Sequence, residues 1–202
     1  MSQLRQINKA IRSTLALWVL TAFLYPLFML LFGHVALSFQ ANGSLLTNPQ
    51  GTVVGSALIG QPFSSERYFW SRPSTTNYST ADPKKDEAGV LKTGVSGASN
   101  LAPSNPALLE RIQGEVARLK QANTQPTADL VYTSGSSLDP HISPEAAQAQ
   151  AQRIATVRRI DPNQIQKLID QNTDGRFLGI FGEPGVNVLK LNIALDELDP
   201  AS

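Results

Sequence analysis

Residues 13–39 read STLALWVLTAFLYPLFMLLFGHVALSF, a mostly apolar stretch without Asp, Glu, Lys or Arg. Because a helix rises about 1.5 Å per residue, the apolar middle of this stretch can cross roughly 30 Å of hydrocarbon. Pro26 lies mid-span, where membrane helices tolerate a kink if neighbouring groups satisfy the freed carbonyl. We therefore predict a transmembrane helix over residues 13–39.

A cleaved signal peptide is the alternative explanation for this stretch. Ala36-Leu37-Ser38 loosely matches a small-x-small cleavage site. The apolar core of a signal peptide, however, typically has only about 7–15 residues, which is much shorter than this run. The length of the run favours a retained anchor.

The charges on either side of the span predict its orientation. Arg5, Lys9 and Arg12 precede it, whereas no charged residue follows it until Glu66. Lys and Arg close to the end of a span stay on the cytoplasmic side. We expect a cytoplasmic tail at residues 1–12, a linker at 40–51 and an external domain at 52–202.

The composition excludes several classes of function. The 202 residues carry a formal net charge of +1, which does not suggest a nucleic-acid partner. The absence of cysteine excludes disulfides, a cysteine nucleophile and Cys-based metal sites. The two histidines, His34 and His141, would need carboxylates to complete a metal site, and none is spaced for it. We predict no metal site.

Helix signals recur three times in the external domain. Each is an N-cap residue followed by a proline suited to the first helical position. The three pairs are Asn105-Pro106, Ser143-Pro144 and Asp161-Pro162, and the helices are expected to run to about Ala122, Arg158 and Gln171.

Strand signals are weaker and fall between the helices. Residues 53–59 and 130–132 are short apolar candidates, and residues 63–103 are mostly irregular. Residues 177–181 and 186–193 are expected to form a hairpin around the Gly-Glu-Pro-Gly turn at 182–185. The predicted fold class is therefore α+β: one N-terminal transmembrane helix, then a single external domain of about three helices on a small mixed or antiparallel sheet.

Five blocks of distinctive sequence follow the anchor. They are GSALIGQPF at 55–63, YFWSRPS at 68–74, SGASNLAPSNP at 96–106, SGSSLDPHISP at 134–144 and GEPGVNVLKLNIALD at 182–196. In their residues and in their order along the chain, these blocks resemble the C-subunit family of the bacterial Kdp potassium-transporting P-type ATPase.

The resemblance implies an accessory, non-hydrolytic subunit of a high-affinity ATP-driven potassium importer in the bacterial plasma membrane. Its partners would be a channel-like subunit, a P-type ATPase subunit and a small accessory subunit. Such a subunit supports assembly and raises the ATP affinity of the pump subunit, as a catalytic chaperone. The family also implies ATP contact by this chain, but ATP is scarce outside the cell, so we expect ATP and K⁺ to act at the partner subunits.

On this reading the residues of interest lie at partner interfaces, and none is catalytic. They belong to the span, the aromatic run and the polar loops: Trp18, Tyr25, Pro26, Tyr68, Phe69, Arg72, Ser96, Gly97, Asn100, Asn105, Asp139 and His141. For the aromatic run the alternative is that the rings belong to the core and Arg72 is solvated. For the loops the alternative is turn and cap chemistry within the domain. The alternative functions are a membrane-anchored periplasmic hydrolase using Asp139 and His141, or an anchored binding or sensor domain.

Overall fold

The computed structural model describes residues 2–80 and 95–198. The chain divides into two compact units, Met1–Leu45 and Leu46–Ser202. The part of the predicted irregular stretch at 81–94 lies outside the described residues.

The N-terminal unit is almost entirely helical. Helix α1, Ser2–Val19, continues through a π-helical turn, Leu20–Leu24, into α2, Tyr25–Ala36, and the short α3, Ser38–Ala41, follows. Among the described residues, one helix, Gln3–Ala36, is long and apolar enough to cross a membrane, and its apolar window is wholly unburied. The expected helix is thus present, and it begins well before residue 13.

Pro26 explains the π-helical turn. Proline has no backbone N–H, so it cannot donate to the carbonyl four residues earlier. The N–H of Tyr25, next to Pro26, donates instead to the carbonyl of Leu20, five residues back. The helix accommodates the proline by a local change in hydrogen-bond register and continues as α2.

Among the described residues, two small sheets follow the N-terminal helices along the chain. Strand β1, Leu45–Thr47, pairs with β2, Val53–Ser56. The other sheet is antiparallel with β5, Gly185–Asn187, between β3, His141–Ile142, and β4, Thr173–Asp174. In its register His141 faces Asn187, and Thr173 faces Val186.

The three predicted helices are confirmed. They are α4, Pro106–Gln121, α6, Pro144–Arg158, and α7, Pro162–Gln171. Each expected cap accepts a backbone hydrogen bond: Asn105 from Ala107, Ser143 from Ala146 and Asp161 from Asn163. The α+β fold class is also confirmed, with the short α5, Ala128–Val131, and α8, Val188–Leu198, as additional helices.

The expected strand at residues 186–193 is wrong beyond Asn187. Asn187 ends β5, and its side-chain oxygen accepts the N–H of Lys190 at 3.1 Å, which starts α8. Val188, Leu191 and Leu195 are buried, and their spacing of three and four residues is that of one helix face. A strand was predicted because Leu189, Leu191 and Ile193 alternate with the polar residues Lys190 and Asn192 and would share one strand face.

Three further strand predictions also need correction. Residues 130–132 lie at the end of the helical turn α5 and not in a strand. Residues 177–181 form a tight turn joined by one isolated bridge between Phe177 and Phe181. Strand β2 stops at Ser56, and Leu58 and Ile59 are exposed in the turn that follows.

The core of the second unit lies among α6, α7, α8 and β5. Its most buried members include Ile154, Ile165, Ile169, Val186 and Leu191, each fully buried. Burying one such side chain stabilises the folded state by about 1.5–3 kcal/mol. This core fixes the positions of α6 and α8, and side chains of these two helices bind the backbone of Phe69 and Trp70.

Candidate functional site

The aromatic block, residues 66–70 (ERYFW), is fixed by side-chain amides from two helices. The amide of Asn192 on α8 accepts the N–H of Phe69 at 2.9 Å and donates to its carbonyl at 3.0 Å. The amide of Gln150 on α6 does the same for Trp70, at 2.7 and 3.2 Å. Two amide side chains thus replace the neighbouring strands that a sheet would supply.

Arg153 on α6 completes the hold on the aromatic block. Its guanidinium donates to the carbonyls of Glu66 and Tyr68 and stacks over the ring of Trp70 at 3.9 Å. Burial lowers the pKa of Arg153 to about 10, so it remains charged at neutral pH. Carbonyl acceptors and an aromatic face satisfy this buried charge.

A second buried arginine links the block to the C-terminal helix. Arg158 donates to the carbonyl of Arg67 at 2.8 Å and pairs with Asp196 at 2.6 Å. The hydroxyl of Tyr68 donates to the other oxygen of Asp196 at 3.1 Å. None of these helical partners was predicted from the sequence, which left the aromatic side chains open between the core and a partner interface.

The predicted interface residues in the aromatic block and just after it differ in burial. Phe69 is 0% exposed in the hydrophobic core, so its side chain offers no surface to a partner. Tyr68 is half-buried, and Arg72 lies at the rim of a cavity. Phe69 therefore serves the fold.

The two polar loops, residues 96–105 and 134–143, are joined to each other and to residues 74–75 by hydrogen bonds around Ser137. Its hydroxyl donates to the carbonyl of Gly97 at 2.5 Å and accepts the N–H of Thr75 at 3.0 Å. Its carbonyl accepts from the hydroxyl of Ser74 at 2.9 Å. The hydroxyl of Ser96 donates to the carbonyl of Ser136 at 3.0 Å, and Gly97 N–H does the same. Both polar loops therefore take part in turn hydrogen bonds within the domain, which is the alternative to an interface role.

Gly60 and Tyr78 pack against the same loops. Tyr78 lies in a left-handed turn, Asn77–Ser79, and its buried hydroxyl donates to the carbonyl of Arg72. Burial raises the pKa of Tyr78 to about 12. A Cβ on Gly60 would lie 2.5 Å from the Tyr78 ring and 2.6 Å from the carbonyl oxygen of Asp139. Only glycine leaves room for this ring.

Arg72, Asp139 and His141 meet at a surface cavity of about 630 Å³. Arg72 pairs with Asp139 at 3.1 Å and approaches Asp129 at 3.8 Å. The ring of His141 lies 3.7 Å from Asp139 and 4.0 Å from Asp174. Hydrogen bonding to His141 lowers the pKa of Asp139, and Arg72 adds to the effect. Asp139 thus carries its charge at neutral pH.

Among the residues that the structure describes, no serine hydroxyl of this cavity hydrogen-bonds His141 as a serine hydrolase triad requires, and the hydroxyl of Ser143 accepts the N–H of Ala146 instead. The hydroxyls of Ser134 and Ser136 contact each other at 3.2 Å and accept backbone N–H groups of Ser137 and Leu138. A nucleophilic serine would instead have to lie within hydrogen-bond distance of His141. Among residues 2–80 and 95–198, no group of three or more His, Cys, Asp or Glu side chains is arranged to hold a metal ion.

The remaining predicted interface residues are on the surface. Trp18, Tyr25 and Pro26 are exposed in the N-terminal unit. Asn100 is exposed with a left-handed backbone, φ 49°, and Asn105 caps α4. The interface role of these side chains stays a prediction.

Comparison with known proteins agrees along the whole chain. The family profile described as "KdpC: K+-transporting ATPase, c chain" matches residues 7–197. The chain is 65% identical to "Potassium-transporting ATPase KdpC subunit 1" of Nostoc sp., covering 99% of this chain and 100% of that protein. It is 63% identical to the KdpC subunit of Microcystis aeruginosa, covering 98% of each, and 48% identical to that of Paraburkholderia phytofirmans, covering 90% and 91%. The chain therefore belongs to the KdpC family, the c chain of K⁺-transporting ATPases.

Proposed function

We propose that the chain is an accessory, non-hydrolytic subunit of a high-affinity ATP-driven potassium importer in the bacterial plasma membrane. In this role it supports assembly and raises the ATP affinity and activity of the pump subunit. The observation that carries the proposal is full-length similarity to proteins named as KdpC subunits of a potassium-transporting ATPase. Its partners are a channel-like subunit, a P-type ATPase subunit and a small accessory subunit.

The two units of the chain suit such a role. A wholly unburied apolar helix needs lipid or partner helices around it. The second unit is built around buried polar networks, which favour one fixed conformation over a mobile catalytic loop. An anchored domain of fixed shape can bind other subunits without itself reacting.

The same proposal places the second unit outside the cell. Arg5, Lys9 and Arg12 precede the apolar helix and favour a cytoplasmic N-terminus. ATP then binds the pump subunit on the opposite side of the membrane. The chain would raise ATP affinity by contacting two conformations of its partners unequally, since coupling between distant sites requires such a difference.

The interface roles follow from this arrangement. The span, with Trp18, Tyr25 and Pro26, would pack on partner helices. Arg72, Asp139, His141 and the exposed parts of the polar loops would lie on the external face of the channel subunit, where they could cover the path of incoming ions. The attraction of Asp139 for cations would be modest, because exposed charges are screened over about 10 Å at ordinary salt.

Purification of the whole complex tests this function. A tag on the full-length chain in mild detergent should bring down the partner subunits with potassium-stimulated ATPase activity. Removal of residues 46–202 should either lose these partners or raise the KM for ATP by roughly 5- to 150-fold, the usual range of allosteric coupling. Leu109→Ser, an exposed change on α4, is the control and should alter neither. A wild-type chain that elutes alone from cells expressing all subunits would refute the proposal.

His141→Ala separates this function from the hydrolase alternative. A subunit that only binds partners should keep its potassium-stimulated ATPase activity within about twofold, because the half-exposed ring approaches the neighbouring carboxylates only at 3.7 and 4.0 Å. An enzyme that uses His141 as a base should lose on the order of a hundredfold or more of its turnover.

A further inference from the structure

The turn between β4 and β5 presents an unusual amount of apolar surface. Phe177, Leu178, Ile180 and Phe181, here called the apolar knuckle, are each 62–75% exposed. Scattered exposed apolar residues are ordinary, but four within five positions form one patch, and such patches mark contact surfaces. From the sequence, this stretch was expected to be a strand and was given no function.

The apolar knuckle is held in one shape. Phe177 and Phe181 exchange two backbone hydrogen bonds, at 2.8 and 3.0 Å. Leu178 and Gly179 have positive φ angles, 53° and 74°, which turn the chain tightly. An ion pair between Arg176 and Glu183 at 2.7 Å closes the base. A patch ordered in advance loses little conformational entropy on binding, so its apolar area contributes more to affinity.

The surroundings of the knuckle are acidic. Its two stems contribute Asp174 and Glu183 to the cavity of Arg72, where Asp129 and Asp139 also lie. Two guanidinium groups accompany these four carboxylates: Arg72 faces Asp129 and Asp139, and Arg176 pairs with Glu183. Because the carboxylates outnumber the guanidinium groups, the rim beside the apolar patch carries a net negative charge.

This charge distinguishes between two kinds of partner. Segments that insert into a lipid surface usually surround their apolar side chains with Lys and Arg, which anionic headgroups attract. The knuckle has acidic neighbours and its one arginine is neutralised by Glu183. An acidic rim is instead complementary to a protein pocket that is apolar inside and basic at its edge.

We propose that the apolar knuckle inserts into an apolar pocket of a neighbouring subunit of the transport complex. Lys or Arg side chains at the rim of that pocket meet Asp174 and Glu183. This inference rests on the proposed function, because it takes the partner to be a protein of the same complex.

Photo-crosslinking in native membranes identifies what the knuckle touches. Ile180→p-benzoylphenylalanine in the full-length chain places a reactive group in the patch, and Leu109→p-benzoylphenylalanine is the matched control on α4. We expect a covalent product with a partner subunit from position 180 and not from 109. Lipid adducts alone, or equal products from both positions, would overturn the proposal.

Co-purification measures how much the contact matters. Phe177→Ser/Ile180→Ser should lower the recovered partner subunits by on the order of tenfold, as expected when two anchoring side chains of an interface are truncated. The control, Leu109→Ser/Tyr132→Ser, removes a similar exposed apolar area and should leave recovery unchanged.

Raised salt should weaken the complex of the wild-type chain more than that of Asp174→Asn/Glu183→Gln, because the variant lacks the charges that salt screens.

The outcomes separate this inference from the proposed function. If the wild-type chain brings down its partners and the knuckle variant does so within twofold, the docking proposal fails and the accessory function stands. If the wild-type chain brings down no partner, the accessory function fails and the docking proposal fails with it.

Discussion

The aromatic block and the apolar knuckle are both short, irregular and rich in aromatic side chains, yet one is core and the other is surface. Phe69 is fully buried, whereas Phe177 is 70% exposed. The difference lies in what surrounds the backbone. Helices α6 and α8 supply polar side chains that satisfy the backbone of the block and let it enter the core. The knuckle satisfies its own backbone in a tight turn and projects its side chains outward.

This contrast assigns the two segments to different tasks. The backbone of the aromatic block is bound by side chains of α6 and α8, so a substitution in the block also disturbs the packing of the core. The block therefore contributes to the stability of the domain. A segment closed by local hydrogen bonds can change its exposed side chains without disturbing the fold. Stability measurements on matched variants therefore test the contrast directly.

The largest effect is expected from truncating the same residue type in the two segments. Phe69→Ala should lower the free energy of unfolding by about 3–5 kcal/mol, because it removes buried contacts and leaves a cavity. Phe177→Ala should change it by less than about 0.5 kcal/mol, as usual for exposed sites. Urea unfolding of the full-length chain in mild detergent, followed by tryptophan fluorescence, measures both. Similar losses for the two variants would contradict the assignment of the knuckle to the surface.

A slightly smaller effect is expected from Arg153→Met. The substitution keeps much of the side-chain volume but removes the donors to the carbonyls of Glu66 and Tyr68 and the cation over Trp70. Buried acceptors left without donors cost about 1–3 kcal/mol each, with partial relief if water enters, so we expect a loss of about 3 kcal/mol.

Lys120→Met on α4 is the control for Arg153→Met, since Lys120 is exposed. The same urea unfolding should show a change within about 0.5 kcal/mol for the control. If Arg153→Met were as mild, the block would not depend on α6 for its position.

Gln150→Leu should cost about 2 kcal/mol. Leucine fits the space, but the N–H and carbonyl of Trp70 then lose their partners in a buried site. Gln148→Leu, two residues away on the exposed face of α6, should be nearly neutral. Thermal unfolding of the two variants compares them, and an equal shift in Tm would contradict the role given to Gln150.

Elements of the fold with a local sequence signal could be predicted, whereas those that depend on contacts between residues far apart in the sequence could not. Helices α4, α6 and α7 were predictable because an N-cap residue followed by proline is a local signal. Helix α8 was missed because VLKLNIAL alternates like a strand, although Asn187 stands where a cap belongs. That single polar residue, three positions before Lys190, was the available signal.

The polar networks were not predictable in this way. Gln150 lies 80 residues from Trp70, and Asn192 lies 123 residues from Phe69. No local spacing indicates that these pairs meet. The sequence singled out Arg72, Asp139 and His141 as separate candidates. They meet at one cavity because of the tertiary fold, which pairs β3 with β5.

The smallest expected effect concerns Asp139, in the cavity beside the apolar knuckle. Its pKa is lower in the folded state than its ordinary value of 3.8, chiefly through hydrogen bonding to His141. A carboxyl with a lowered folded pKa contributes stability above its unfolded pKa, and this contribution disappears as the pH falls through the folded value. The difference in unfolding free energy between the wild-type chain and Asp139→Asn should therefore be constant near neutral pH and shrink below about pH 4.

Asp174→Asn is the comparison for Asp139→Asn, because this more exposed carboxylate reaches His141 only at 4.0 Å. Urea unfolding at a series of pH values should give a weaker pH dependence for its difference from the wild-type chain. A difference for Asp139→Asn that does not change with pH would show that Asp139 acts through hydrogen-bond geometry alone. Its charge would then contribute nothing to the stability of the cavity, and the acidic rim could be altered there without loosening the loops that Ser137 holds together.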